Sequence, residues 1–492
     1  MLDKSVPYLA ALILGALATL AFAPFSYPVF SLISVAGAYL LLQDRSAFKF
    51  GLSYGSGFFL GGISWVYVSI HYHGGMSSFV AALMTLLFAC ALGLLFAVQF
   101  WLYRKLSKGA QNALLFAGIW ILFEWLRSWF LTGFPWLLLG YAWIDTPLKN
   151  LAPIGGVWLV SAAVLTIALL AATTIQGRSK LALMSAVILY ASSYLLAHDW
   201  TQKSSDDLSV TLIQPNISQS LKWDINSVDA HILNLMRMTE TAPQSDLIIW
   251  PETAIPKLIN KAIAQLSPLT EQLEKQNRLL LSGFPRAVWR DDEGRWLYHN
   301  SIGTLTGRAI IYDKQRLVPF GEYLPFEEQL RGVIEFFNLP MSSFSLPSGE
   351  LTGLDTDKAK IAAAICYEIA YPELVSESAK NRDIILTLSN DTWFTGSHAP
   401  AQHFEIARMR AVENGRWVIR ATNNGISGLI NQQGEIVATA PTQTQTTLVG
   451  KVEFYTGQTP YQRFGIWPVL LLALLAILSQ LHISNLFRSK RK

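Results

Sequence analysis

Charged residues are scarce in this chain of 492 residues: Asp, Glu, Lys and Arg together make up 15%, against about 25% in an ordinary soluble protein. That deficit excludes a wholly soluble fold, because apolar residues fill the difference, at 51%. Cysteine is scarcer still. The two thiols, Cys90 and Cys366, form no CxxC pair, and no His/Cys cluster has zinc-ligand spacing, so a structural zinc module is excluded. Neither a Walker motif nor a dinucleotide fingerprint is present. The glycine-rich "GSGFFLGG" lies in an apolar stretch and reads as a small-residue face for helix packing. The formal net charge of +4 sits in short clusters beside apolar stretches and leaves no nucleic-acid footprint.

The apolar residues are unevenly placed. Residues 5–197 and 466–483 carry the excess, while about 265 residues between them have ordinary soluble composition. That is enough for one α/β domain with its own core. A membrane span needs about 20 mostly apolar residues. Seven spans are expected before the soluble segment, at 8–24, 28–43, 50–72, 78–103, 112–131, 155–176 and 181–197, and an eighth at 466–483. The expected organisation is a transmembrane bundle over 1–200, a soluble domain over 201–465, and a last span with a basic tail over 466–492. The first span has the look of a signal peptide, but no cleavage site follows it and further spans do.

Lys and Arg give the orientation. Connections after even-numbered spans carry Arg45 and Lys49, then Arg104, Lys105 and Lys108, then Arg178 and Lys180, and the tail carries Arg488, Lys490, Arg491 and Lys492. Connections after odd-numbered spans are nearly free of them, Lys149 excepted. The positive-inside rule puts both termini in the cytoplasm and the soluble domain on the outer side. Near the outer end of span five, Glu124 and Arg127 stand three apart, on one helix face. A structural ion pair and a contact for a lipid headgroup or the soluble domain are both open readings. The Trp-rich connection after them, 128–156, suits an interfacial or re-entrant element.

From Leu208 the rhythm changes to alternating strands and helices with continuous apolar strands, which predicts a layered α/β domain with covered sheets. Polar residues gather at strand C-termini, where such folds place their sites. Three ends carry chemistry: Glu252 in "WPET", Lys314 in "YDKQRLVPFGEYLPF" and Cys366 in "CYE". Taken singly, each has a bland reading: a turn glutamate, a surface lysine, a buried inert thiol. Taken together they say more. Cys90 lies in an apolar span and cannot pair with Cys366, so Cys366 is a lone thiol facing an oxidising compartment. A reactive thiol needs a nearby cation or helix N-terminus and a base, usually His. His299, His398 and His403 are the candidate bases, but none shows a clear Cys-His-Asn spacing; a carboxylate beside a lysine is the alternative.

The order Glu, Lys, Cys in these three motifs resembles the nitrilase, or carbon–nitrogen hydrolase, superfamily. With seven spans before the domain and one after, the whole chain resembles its membrane-bound branch, the apolipoprotein N-acyltransferases of Gram-negative bacteria. "QPNISQSLKW", "LVPFGEYLP", and "SNDTWFTGSHAPAQHFEIARMRAVENGR" followed by "RATNNGISG" agree, although "WFTGSHAP" departs from the Gly-Asp that usually follows Trp-Phe. The resemblance implies an αββα sandwich attached to a polytopic α-helical membrane bundle of eight spans. It implies Glu252 as general base, Lys314 as cationic stabiliser and Cys366 as nucleophile, with Glu322, Glu368, Tyr367, Trp223 and Asn300 in support. It also implies two half-reactions: acylation of Cys366 by a phospholipid, phosphatidylethanolamine being the expected donor, and transfer to the α-amine of a diacylglyceryl-cysteine apolipoprotein.

No cofactor and no metal are expected, and the chain is expected to act as a monomer in the bacterial inner membrane. Membrane anchorage suits lipid substrates, because carrying a sixteen-carbon chain into water costs roughly 12 kcal/mol at about 0.8 kcal/mol per CH₂. In "RGVIEFFNLPMSSFSLPSG", Phe336, Phe337, Leu339 and Phe344 read either as a lipid-facing lid or as domain packing. Trp393 and Phe394 read either as lining for the acyl chain or as core. A membrane-tethered amidase sharing the triad is the rival enzyme. A transporter or scaffold is the rival class, and only Glu124, Arg127, His71 and His73 offer it polar residues.

Overall fold

The computed structural model describes residues 5–42, 46–108, 111–177, 179–292, 294–323, 344–349 and 353–489. It divides into two compact units, one of 1–67, 77–198 and 463–492, the other of 68–76 and 199–462.

The first unit is helical. Its main helices are Val6–Ala18, Val29–Leu41, Ala47–Ile63, Ser78–Ser107, Ala113–Trp129, Ala152–Ile175, Lys180–Ser192 and Trp467–Ser489. Among the described residues, three helical stretches are long and apolar enough to cross a membrane: Ser78–Ser107, Ala113–Thr132 and Pro147–Ile175. Four shorter apolar ones are Val6–Ala21, Val29–Leu41, Lys180–Leu196 and Trp467–Ser479. Their outward faces expose large apolar side chains such as Leu9, Phe79, Leu87, Leu181 and Leu471. A surface of that kind suits lipid as the surrounding solvent rather than water.

Inside, small residues set the helix spacing. A Cβ on Gly57 would meet the Leu12 carbonyl oxygen at 2.0 Å, and one on Gly51 the Phe96 carbonyl oxygen at 2.4 Å, so the "GSGFFLGG" helix touches its neighbours through backbone. The connection after span five forms two tight turns, Leu139–Trp143, buried throughout, and Pro147–Leu151, which buries Leu148 and Leu151. Glu124 and Arg127 hold it. The Glu124 carboxylate accepts from the Leu139 N–H at 3.1 Å and the Trp120 indole at 3.2 Å, while Arg127 donates to the carbonyls of Phe134, Trp136 and Leu137. Both side chains therefore satisfy the backbone of an irregular segment, which is the condition for such a segment in an apolar setting.

Within the expected span over 50–72 the helix is interrupted rather than ended: Ala47–Ile63 is followed by a turn at 64–65 and by the helical turns Val66–Val68 and Ser69–His73. At the break the Trp65 indole donates to the Gly62 carbonyl at 3.1 Å and satisfies an acceptor that a continuous helix would have used. Val68–Met76 then continues as part of the second unit.

The second unit holds two six-stranded sheets. The strands are β1 (Gln202–Gln214), β2 (Leu247–Ile249), β3 (Leu279–Arg290), β4 (Arg295–Thr304), β5 (Ile311–Asp313), β6 (Leu354–Asp355), β7 (Lys360–Ile365), β8 (Ile384–Ser389), β9 (Trp417–Thr422), β10 (Gly428–Ile430), β11 (Ile436–Thr439) and β12 (Thr446–Thr456). The orders are β12-β1-β2-β3-β4-β5 and β11-β10-β9-β8-β7-β6. Parallel triplets, β1-β2-β3 and β7-β8-β9, form the centres, and antiparallel strands the flanks.

The two-residue pleat sorts the side chains. Val210, Leu212, Leu247, Ile249 and Leu281 meet Ile361, Ile365, Leu386 and Ile419 between the sheets. Ile213, Ile248 and Leu280 point the other way, onto helices Val228–Thr241 and Ile259–Lys275. The second helix buries Ala262, Leu266, Leu269 and Leu273, a single stripe at helical spacing. Helices Pro372–Ala379 and Ala399–Asn414 pack on the second sheet, completing a helix–sheet–sheet–helix stack.

Candidate active site

Two parallel strands, β2 and β7, lead into Glu252 and Cys366, while Lys314 follows the antiparallel β5. After β2 the chain turns sharply, and Thr253 takes a left-handed φ of 47°. Glu252 is buried there. Gly283 on β3 permits the turn, since a Cβ at that position would lie 2.5 Å from the Thr253 nitrogen and 2.8 Å from the Glu252 Cα.

Lys314 follows β5 and is also buried. Its Nζ lies 2.8 Å from Glu322 Oε1 and 3.7 Å from Glu252 Oε1. Asn300, on β4, donates its Nδ2 to the same two oxygens, at 2.9 Å to Glu252 and 3.0 Å to Glu322. The other Glu322 oxygen accepts from the Val318 N–H at 2.9 Å. An ammonium and an amide thus bridge two carboxylates and offset their mutual repulsion. Burial favours the neutral amine of Lys314, but Glu322 and Glu252 outweigh it and hold the ammonium above the ordinary lysine range.

Cys366 is the first residue after β7 and sits at a φ of 52°, in the left-handed region that costs a non-glycine residue about 1–3 kcal/mol. Strain of this kind at a strand-to-turn elbow lifts a side chain out of the sheet. The residue is half-buried, packed against the core between the sheets, and has no disulfide partner. Burial and Glu252 push it up to about 12, against the opposing pull of Lys314. The resting group is therefore a thiol beside a carboxylate and an ammonium.

Glu368 is the staple between the elbow and the lysine loop. Its carboxylate accepts from the Ile365 N–H at 2.7 Å, the Tyr312 hydroxyl at 3.0 Å, the Arg316 N–H at 3.0 Å and the Gln315 N–H. Burial pushes it up to about 7, although Lys314 and these donors pull the other way. A second buried lysine, Lys222, donates to the Glu252 carbonyl oxygen at 2.9 Å. Burial lowers its pKa to about 8, against the pull of Glu252 and Cys366. Lys222 lies in "QSLKW" directly before Trp223, yet its charge gave no signal that separated it from a surface lysine.

The three candidate histidines do other work. His299 Nδ1 bonds the Ser345 carbonyl at 2.7 Å, His398 precedes helix Ala399–Asn414, and His403 Nε2 bonds the Cys366 carbonyl at 3.0 Å. Trp223, Tyr323 and Trp393 pack on buried Leu317 and Phe344, forming an apolar patch beside the Lys314 loop. Phe344 is thereby part of the domain packing. Phe394 ends the turn Asp391–Phe394 and is partly exposed. Tyr367 stacks edge-on against Tyr371 at 5.2 Å. His73 lies edge-on to Trp393 at 5.4 Å. Phe336, Phe337 and Leu339 lie outside the described residues. Among the described residues, no three His, Cys, Asp or Glu side chains converge as a metal site.

A thiol on a half-buried residue, a buried carboxylate and a buried ammonium are the parts needed to form and resolve an acyl-thioester. Two family models match the chain: "Apolipoprotein N-acyltransferase N-terminal domain" over residues 14–170 and "Carbon-nitrogen hydrolase" over 209–461. An apolipoprotein N-acyltransferase of Pseudomonas aeruginosa LESB58 is 43% identical over 485 residues, covering 95% of this chain and 94% of the relative. That of Pseudomonas syringae pv. tomato is 42% identical over 483 residues, with 95% of each covered. The enzyme of Vibrio vulnificus is 38% identical over 493 residues, again with 95% of each covered. On this similarity, which runs through the helical unit and the sheet unit alike, the chain belongs to the apolipoprotein N-acyltransferase family.

Proposed function

We propose that this chain is an acyltransferase that moves a fatty acyl group from a phospholipid to the N-terminal amine of a diacylglyceryl-cysteine apolipoprotein, through a thioester on Cys366. The observation that carries the reading is the convergence of Glu252, Lys314 and Cys366 at strand ends in a chain of this family.

In the first half-reaction Cys366 Sγ bonds to the ester carbonyl carbon while its proton passes to Glu252. A thiol raised to about 12 needs that base, since little thiolate stands ready at neutral pH. The carbonyl oxygen becomes an oxyanion, held by the Lys314 ammonium and a backbone N–H beside residue 367. Collapse breaks the C–O ester bond, Glu252 returns its proton to the departing oxygen, and a lysophospholipid leaves. In the second half-reaction the lipoprotein α-amine attacks the thioester carbon and Glu252 takes a proton from nitrogen. The C–S bond then breaks and the sulfur regains the proton. Phosphatidylethanolamine is the expected donor, and the kinetics are ping-pong.

Glu322 and Asn300 orient Lys314 and Glu252, and Glu368 holds the elbow to the lysine loop. Trp223, Trp393 and Phe394 line the acyl chain, with Phe336 and Phe337 as further apolar contacts. Eight spans are proposed for a monomer in the bacterial inner membrane, with both termini cytoplasmic and the catalytic domain periplasmic. The distribution of Lys and Arg supports that topology, and the three long and four shorter apolar helices match seven of the eight proposed spans, the one over 50–72 excepted.

The test is incubation of the purified protein with phosphatidylethanolamine, followed by separation of lipids and intact-mass measurement of the protein. Lysophospholipid and an equimolar acyl adduct are expected. Free fatty acid released with no adduct would favour a hydrolase instead.

A further inference from the structure

Beneath the nucleophile lies a ring of polar side chains that the mechanism above leaves unused. The Ser389 hydroxyl is 3.6 Å from Cys366 Sγ and donates to Asp391 Oδ1 at 2.7 Å. Arg420 Nη2 donates to Asp391 at 2.8 and 3.1 Å and to His403 Nδ1 at 3.0 Å. His403 Nε2 closes the ring on the Cys366 carbonyl oxygen at 3.0 Å. Ser389, Asp391, His403 and Arg420 are all buried. The ring therefore grips Cys366 at two points, sulfur and carbonyl.

The ring also fixes the form of His403. A carbonyl oxygen only accepts, so Nε2 carries the proton; a guanidinium only donates, so Nδ1 presents its lone pair. Nδ1 also lies 3.4 Å from Asp391 Oδ1, a longer contact than the 3.0 Å to Arg420, so the two nearer partners select the same neutral tautomer. Burial and Arg420 also hold His403 below the usual imidazole range, against Asp391 and the Cys366 carbonyl. Both ring nitrogens are thus committed, and His403 has no lone pair to offer the thiol.

The peptide after Cys366 is planar and trans, so its C=O and the following N–H point in opposite directions. Holding the carbonyl toward His403 turns the Tyr367 N–H away from it. That hold matters because Cys366 sits at a strained left-handed φ, from which an unrestrained peptide would relax. We propose that His403 is a positioning residue: through its Nε2–H it sets the Cys366–Tyr367 peptide plane, and so aims both the sulfur and the oxyanion-side N–H. The proposal rests on the reading of Cys366 as the nucleophile.

The test compares His403→Gln, which can place an amide N–H near the Nε2 position, with His403→Asn, which reaches only the Nδ1 position, and His403→Ala. Wild-type protein must first form the acyl adduct with phosphatidylethanolamine; if it does not, the functional reading fails before this one is reached. The rate of adduct formation in single turnover is expected to fall by at least about tenfold in the Asn and Ala variants, out of the 10²–10³ an oxyanion donor is worth. The KM for phospholipid is expected to stay unchanged, and Gln should recover most of the lost rate. The pH profile of adduct formation should keep its shape in the Gln variant, because His403 carries no transferred proton. Equal losses in Gln and Asn would overturn the proposal, as would a limb of the pH profile that disappears with the histidine. Should His403→Ala not fold, the Gln–Asn comparison decides.

Discussion

At the scale of residues, burial, Glu252 and Lys314 set the acidity of Cys366. Glu252 raises it and Lys314 lowers it, so two substitutions should move the thiol in opposite directions. In Glu252→Gln the pH midpoint for alkylation of Cys366 by iodoacetamide is expected to fall, yet acyl transfer should be lost by at least about 10²-fold because the base is gone. In Lys314→Met the midpoint should rise. A Glu252→Gln protein that is both unchanged in thiol acidity and active would remove Glu252 from the mechanism. Asp391 supplies a separate test through stability. Although burial opposes it, the Arg420 guanidinium holds this carboxyl well below its usual range, helped by the Ser389 hydroxyl. Its folded pKa is depressed, so its contribution is present above the unfolded carboxyl pKa of about 4 and is lost as pH falls below that value. Wild-type melting temperature should therefore drop on acidification through that range, and Asp391→Asn should show a lower but flatter profile.

At the scale of elements, the site depends on how closely strands and turns approach. A Cβ at Gly283 would press on the backbone of the Glu252 turn, and backbone cannot rotate aside as a side chain does. Gly283→Ala should leave the domain folded but cost about 10²-fold in acyl transfer, the price of roughly 1 Å of misplacement at a catalytic group; single-turnover rates against melting temperature would separate the two effects. Glu368→Gln should act differently. It replaces one acceptor oxygen with a donor amide that would face either the Gln315 and Arg316 N–H groups or the Ile365 N–H and Tyr312 hydroxyl, and a stability loss of about 2–4 kcal/mol is expected by denaturant unfolding.

Much of this was legible in the residues, and the illegible part has a pattern. Glu252, Lys314 and Cys366 stand out because each follows a short apolar strand within one local motif, and Glu322 through the family resemblance of the "LVPFGEYLP" stretch. The ring under Cys366 does not, because its members come from distant segments: His403 and Cys366 are 37 residues apart, Arg420 and Asp391 29. A single sequence records no such pairing. The break in span three is equally silent: hydropathy runs through 50–72 without a mark at 64–65, where the Trp65 indole takes the Gly62 carbonyl.

At the scale of the whole molecule, the claim is that one sulfur on a soluble sheet serves two membrane-anchored substrates. The proposed topology predicts that single cysteines placed in the soluble domain react with a membrane-impermeant thiol reagent in intact cells lacking an outer-membrane barrier, whereas cysteines in the connection around Lys105 do not; the reverse pattern would invert the orientation. The identity of the sulfur is decided by one measurement. Protein incubated with phosphatidylethanolamine is digested and the acylated peptide is sequenced by mass spectrometry, before and after addition of a diacylglyceryl-cysteine peptide. The account predicts an acyl group on Cys366 that the peptide's amine discharges, present in Cys90→Ala and missing in Cys366→Ala. An acyl group on Cys90 or another side chain, or triacylated peptide formed by the Cys366→Ala protein, would contradict it.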